Sequence, residues 1–159
     1  MLIQKFFHRA LAFFLSSIIA CLFALCSTAA LADQQPELAS QVVKVVSPQL
    51  KLYGQKSQLG EGFMIIENQG KLPHTLVAVH APAAEETVLH RSFFNEDGKL
   101  MMQQIRQIDL PPKDEATLQF GGLHIMLINI DKTIKSGTTI PIEIMFKDGS
   151  ELTVTAKVV

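Results

Sequence analysis

The sequence predicts an all-β protein, an antiparallel sandwich or barrel made of one domain. Three observations carry that expectation. After residue 32 the chain offers short runs rich in Val, Ile, Leu and Phe, with turn residues at close intervals between them. No apolar stripe with the 3.6-residue period of an amphipathic helix persists through that part of the chain. Near the C-terminus Ile140, Ile142, Ile144 and Phe146 alternate with polar or exposed positions, the period of two that turns one strand face toward a core.

The first residues are of another kind. Lys5, His8 and Arg9 precede an apolar run over residues 10–25, followed by Ser27-Thr28-Ala29-Ala30-Leu31-Ala32 and then polar Asp33-Gln34-Gln35. This order of charged, apolar and small residues predicts a secretory signal peptide over residues 1–32, cut after Ala32. The competing readings are an uncleaved anchor, because residues 10–32 are long enough to span a bilayer, and lipidation of Cys21 in Ile18-Ile19-Ala20-Cys21. The apolar residues that continue after Cys21 argue against the latter. Cleavage leaves residues 33–159, roughly 125 residues, enough to close one core with no membrane span.

Composition narrows the function classes. The formal net charge is −1 and the pI about 6.5, without a Lys/Arg run, so neither nucleic acid nor an anionic membrane surface is an expected partner. Both cysteines, Cys21 and Cys26, fall in the leader. The mature domain then has no disulfide and no thiolate ligand, which excludes a blue-copper centre and thiol redox chemistry. A metal site without thiolate suits an oxidising compartment, where cysteines are at risk of oxidation.

In chain order, residues 33–39 read as a mobile leader. Residues 42–46 have the β-branched content of a strand, broken at Ser47-Pro48 and resumed at residues 50–53. Residues 54–60 are a loop. Residues 63–66 form a buried-strand candidate closed by Asn68-Gln69-Gly70, and residues 75–80 another between Pro73 and Pro82. Residues 86–90 lead into Asn95-Glu96-Asp97-Gly98, whose Asp-Gly pair tolerates the positive φ of a tight hairpin. That hairpin folds residues 99–102 back beside residues 91–93. Pro111-Pro112-Lys113-Asp114 makes a turn, residues 116–120 a strand, and Gly121-Gly122 a corner. A final hairpin turns at Asp148-Gly149-Ser150 and returns over residues 152–158.

Four residues stand out as metal ligands: His90, Met102, His124 and Met126. Imidazole nitrogen and thioether sulfur form a soft donor set that favours Cu(I) over hard cations. In a strand His124 and Met126 lean to one side while Ile125 turns the other way. Taken singly, a strand methionine is ordinarily core filling; the argument rests on all four coinciding with the hairpin and corner signals. Met101 is the neighbour that cannot share a face with Met102 without a bulge. Met64 and Met145 read as packing or surface residues. His74 and His80, six apart, are the candidates for a second, weaker Cu(II) or zinc site.

The spacing of His90, Met102 and His124-Ile125-Met126 resembles the HM-x10-M-x21-HxM signature of the periplasmic PCuAC-type copper(I) chaperones, with Arg91 where the family carries an optional methionine. The resemblance runs from about Gly62 to the C-terminus. It includes Gly62-Phe63-Met64-Ile65-Ile66-Glu67-Asn68, Gly121-Gly122-Leu123-His124-Ile125-Met126-Leu127 and Phe146-Lys147-Asp148-Gly149. The region of Ser47-Pro48-Gln49-Leu50 lacks the tryptophan-bearing entry strand common in the family. The resemblance implies a Greek-key, cupredoxin-like barrel carrying one Cu(I). It also implies a periplasmic chaperone that delivers copper for cytochrome c oxidase maturation, to an oxidase subunit or another copper chaperone.

Enzymatic readings find no support in the sequence. It has no HExxH, GxSxG, CxxCH or glycine-rich phosphate loop, and the mature domain has no Cys-His pair. Binding and transfer of copper are expected rather than turnover. The competing functions are a secreted β-sandwich interaction module with incidental His and Met, and a copper buffer without specific delivery.

Overall fold

The computed structural model describes residues 36–54 and 58–159. The expected signal peptide and its cleavage point lie outside the described residues. Among those described, no helix is long and apolar enough to cross a membrane. A one-turn helix, α1 (Ala39–Val42), precedes ten strands: β1 (Val43–Leu52), β2 (Leu59–Asn68), β3 (His74–His80), β4 (Ala84–Phe94), β5 (Leu100–Gln104), β6 (Ile108–Leu110), β7 (Glu115–Leu118), β8 (Leu123–Ile130), β9 (Thr139–Phe146) and β10 (Glu151–Val158).

The all-β fold class follows as the sequence predicts. The strands hydrogen-bond in the order β5-β4-β8-β7-β2-β1-β10-β9-β3-β6, with β8 also pairing β2. Most pairings are antiparallel, but β1 runs parallel to β10 and β7 parallel to β8, so the sheet is mixed. The β1–β10 pairing joins Gln49 to Lys157 and Leu50 to Val158, distant segments whose meeting local turn signals do not report, whereas β7 and β8 touch in parallel only at Leu118 and Leu123.

Strand β1 does not break at Ser47-Pro48. It runs through, with a register shift against β2 between Val46 and Gln49 and a left-handed Ser47 at φ 51°. A bulge tolerates a proline, which has no N–H to give to a ladder, and it lets the later half of β1 face both β2 and β10.

The alternating Ile140, Ile142, Ile144 and Phe146 of β9 are buried, together with Ile125 and Leu127 of β8, Met64 and Ile66 of β2, and Leu76 of β3. Each such side chain contributes about 1.5–3 kcal/mol on leaving water. Asn68 is buried but fully used. Its Nδ2 donates to the Leu72 and Leu110 carbonyls at 2.8 and 3.0 Å, and its Oδ1 accepts from the Gly70 N–H at 2.9 Å. It closes β2 against the turn that follows.

The expected mobile leader is corrected from Glu37 onward. Glu37 Oε1 accepts the Lys71 and Leu72 N–H groups at 2.8 and 3.2 Å. Ala39 N–H donates to Asp148 Oδ2 at 2.6 Å, and Ser40 N–H donates to Ser150 Oγ at 3.1 Å. The polar residues that read as solvent-loving are the ones that fasten this segment to the turns after β2 and β9.

Candidate metal centre

The hairpin that positions one candidate ligand forms as its turn chemistry dictates. Asn95 accepts the Gly98 N–H at 3.0 Å on its carbonyl and the Asp97 and Lys99 N–H groups on Oδ1, while Gly98 takes φ 73°. Strand β5 is thereby laid antiparallel on β4, with Met102 opposite Ser92, Met101 opposite Phe93 and Gln104 opposite His90. On the other side of β4, His124 stands opposite His90, Met126 opposite Val88 and Ile125 opposite Leu89.

Directly opposed residues share a face of a sheet, and so do residues two apart. His90, Met102, His124 and Met126 therefore project from one face, and Met101 from the other, with Phe93, Leu89 and Ile125. His90 is the hub: it is directly opposite His124 and diagonal to both Met102 and Met126. The register does not make the two methionines neighbours; they flank the histidine pair from opposite corners. Exposure differs as sharply, since His124 is 1% exposed and Met102, on the edge strand, 56%.

The two imidazoles meet edge to face, their centroids 5.7 Å apart and their planes at 85°. His124 Nδ1 lies 3.0 Å from the Gly122 carbonyl oxygen. A carbonyl only accepts, so Nδ1 carries a proton, and in the neutral ring Nε2 is the nitrogen with the lone pair. That Nε2 is buried without a hydrogen-bond partner, and so is Nδ1 of His90. An unmet buried polar group costs about 1–3 kcal/mol. Burial, and then the neighbouring His124, push His90 below its ordinary 6.5, with Glu86 and Glu61 pulling the other way. Near neutral pH His90 is uncharged and able to donate a lone pair.

Glu61 is the residue that sequence reasoning missed. It sits in β2 opposite Met126, on the face of the histidines, and is 7% exposed. The Tyr53 hydroxyl donates to its Oε2 at 2.5 Å. Burial, and then Glu61 itself, push the Tyr53 hydroxyl up to about 12, so it remains a donor. A signal was present in Gly60-Glu61-Gly62, a charge between two glycines inside an apolar strand. A Cβ at Gly60 would stand 2.8 Å from Ile130 Cδ1 and 2.9 Å from Leu50 Cδ1, and one at Gly62 would stand 3.2 Å from Ile125 Cβ. The glycines let β2 press on the core while Glu61 turns to the opposite side. Among the described residues no three His, Cys, Asp or Glu side chains form a group able to hold a metal.

His74 and His80 are not brought together. A register shift in β3 between Leu76 and Ala78 reverses the alternation, leaving His74 buried and His80 exposed on the other face. His74 instead lies 3.8 Å from Glu37 Oε1 and 3.6 Å from Asp148 Oδ2.

The fold is that of the cupredoxin-like PCuAC domains. It resembles the "Copper-bound PCuAC domain from PmoF2" with a TM-score of 0.62 and 22% identity over 78% of this chain and 97% of that one. The "Apo PCuAC domain from PmoF1" aligns with a TM-score of 0.63 and 25% identity over 74% of this chain and 92% of that one. The solution structure of CuI-DR1885 from Deinococcus radiodurans aligns with a TM-score of 0.60 and 24% identity, covering 80% and 84%. Residues 43–158 match the family described as "Putative lipoprotein LpqE-like", and the chain belongs to this LpqE-like family. Comparison with curated protein sequences finds no significant match.

Proposed function

We propose that this protein is an exported Cu(I)-binding chaperone whose ion is held by His90, His124, Met102 and Met126. The observation that carries the reading is the opposed histidine pair. Two buried imidazole nitrogens lack partners on a face that also presents two thioethers. A soft monovalent cation satisfies both nitrogens at once, and copper-bound domains of the same fold support the choice of metal. In this reading His90 and His124 would hold the ion, the latter with its tautomer set by the Gly122 carbonyl, and the thioethers of Met102 and Met126 would complete the donor set.

The same geometry suits transfer rather than turnover. All four donors are neutral, and thioether bonds to copper are weaker than thiolate bonds. The ligand on the edge strand, Met102, is the one open to displacement by a copper-accepting protein, while buried His124 is released last. Residues 1–32 act in this reading as a signal peptide that places residues 33–159 in the periplasm. The acceptor is then a cytochrome c oxidase subunit or another copper chaperone.

The test is Cu(I) titration against a chromophoric chelator, followed by X-ray absorption of the loaded protein. Mixed nitrogen and sulfur scattering is expected. Binding no tighter than that of a generic peptide would leave a secreted interaction module in its place. Tight binding with no transfer to any acceptor would make the protein a copper buffer. Intact-mass measurement of the exported protein should give a start at Asp33.

A further inference from the structure

We propose that Glu61 is the counter-charge of the copper centre and sets how strongly the site prefers Cu(I) over Cu(II). The inference rests on the copper reading above and adds a residue outside the His/Met set.

The four ligands are neutral, so they leave the whole charge of the ion uncompensated in a partly buried site. Glu61 is the buried carboxylate on the same face, directly opposite Met126, close enough to pull on the charge of His90. A buried carboxylate is costly unless something balances it. Among the described residues no Lys or Arg forms an ion pair with Glu61. Lys51 stands directly opposite Glu61 on β1, yet its ammonium lies over the Tyr53 and Phe120 rings, 5.7 Å from each centroid. The Tyr53 hydroxyl anchors one carboxylate oxygen but brings no charge. The glycines on either side face the core side chains of Ile130, Leu50 and Ile125, so Glu61 between them is turned to the face of the histidines. The carboxylate, which makes no ion pair among the described residues, therefore faces the side on which a cation is to be bound.

Coulomb attraction grows in proportion to the charge on the metal. A fixed anion beside the site favours Cu(II) about twice as strongly as Cu(I). It moderates the bias toward the reduced ion that two thioethers impose, which lowers the Cu(II)/Cu(I) potential.

The experiment compares the protein with its Glu61→Gln, Glu61→Ala and Glu61→Asp variants. It measures Cu(I) and Cu(II) affinity by chelator competition, and the midpoint potential of the bound copper. Glu61→Gln should weaken Cu(I) binding about tenfold and Cu(II) binding about a hundredfold, and the tenfold difference corresponds to a rise of about 59 mV. Glu61→Ala, which leaves no amide against Tyr53, should raise the potential in the same direction, and Glu61→Asp should restore most of it. Equal losses for both oxidation states with an unchanged potential would overturn the proposal and make Glu61 a structural residue. If the parent protein binds no Cu(I), the copper reading itself fails, a result distinct from normal binding that is indifferent to Glu61.

Discussion

Two buried strand histidines, His124 and His74, face opposite kinds of neighbour. His124 presses edge-on against His90 with thioethers at the corners and a buried nitrogen left without a partner. His74 Nε2 also lacks a hydrogen bond, but it stands 3.8 Å from Glu37, and Nδ1 is 3.6 Å from Asp148. Those carboxylates in turn hold the N–H groups of Lys71, Leu72 and Ala39. One histidine stands among a second imidazole and two thioethers on its face; the other is the middle of a polar clasp that fastens the segment at Glu37 to the turns after β2 and β9. Burial alone does not distinguish the two histidines, whereas the charge and softness of what surrounds each do.

Exchanging the substitutions between the two regions produces the largest effect. His124→Ala should weaken Cu(I) binding at least a hundredfold, about 2.7 kcal/mol, while His74→Ala should leave it within threefold. Stability should respond the other way. Removing the buried His74 ring should cost about 1–3 kcal/mol in the absence of metal. Cu(I) at a hundredfold excess over its Kd should still stabilise His74→Ala by about 2.7 kcal/mol and His124→Ala by far less. Chelator competition and thermal melts on the two variants check both halves. Copper affinity lost equally at both positions would erase the distinction.

Within the soft region the sharper contrast is between adjacent methionines. Both are exposed, 44% for Met101 and 56% for Met102, so exposure does not choose between them; the register does. Leucine preserves volume and apolarity, so folding should be little affected. Met102→Leu should weaken Cu(I) about tenfold, or 1.4 kcal/mol, and Met101→Leu by less than threefold. If Met101→Leu proves the more damaging, β5 must slip by one residue when copper binds, because a one-residue slip exchanges the two faces.

What could be read from the sequence divides along the same physical line. The Asp97-Gly98 turn is local chemistry, so the hairpin follows from it, and with it the register that puts Met102 and not Met101 on the face of the histidines. The alternating Ile140, Ile142, Ile144 and Phe146 are equally local. The parallel pairing of β1 with β10 is not, because it joins segments near opposite ends of the chain. The supposed His74/His80 pair failed because the bulge in β3 arises from its pairing with β9, which no residue of β3 announces. Glu61 was passed over because its neighbours in the site, Met126 and Tyr53, lie on other strands or beyond a loop. Its glycine flanks, read as marks of close backbone approach, would have singled it out. The polar leader was misread for a similar reason: Glu37 is hydrophilic, but its partners are N–H groups more than thirty residues away.

The clasp itself should yield to acid, the smallest effect of the set. The Lys71 and Leu72 N–H groups hold Glu37 below its ordinary 4.5. Burial pushes Asp148 up from 3.8, but the Ala39 N–H and the Ser150 bonds outweigh it and leave the carboxyl lowered. A carboxylate with a lowered folded value contributes stability that is fully present above its unfolded value and is lost as pH falls through the folded one. From pH 7 down to about 5 the segment at Glu37 should therefore stay fastened, and it should loosen only once the pH drops below the ordinary carboxylate range. The amide resonances of Ala39 and Lys71 report this directly, because each donates to one of the two carboxylates. Both should titrate with midpoints below the ordinary values, and Asp148→Asn should remove the transition at Ala39 while leaving the one at Lys71. An Ala39 amide that already shifts between pH 7 and 6 would mean that the two carboxylates do not govern the clasp.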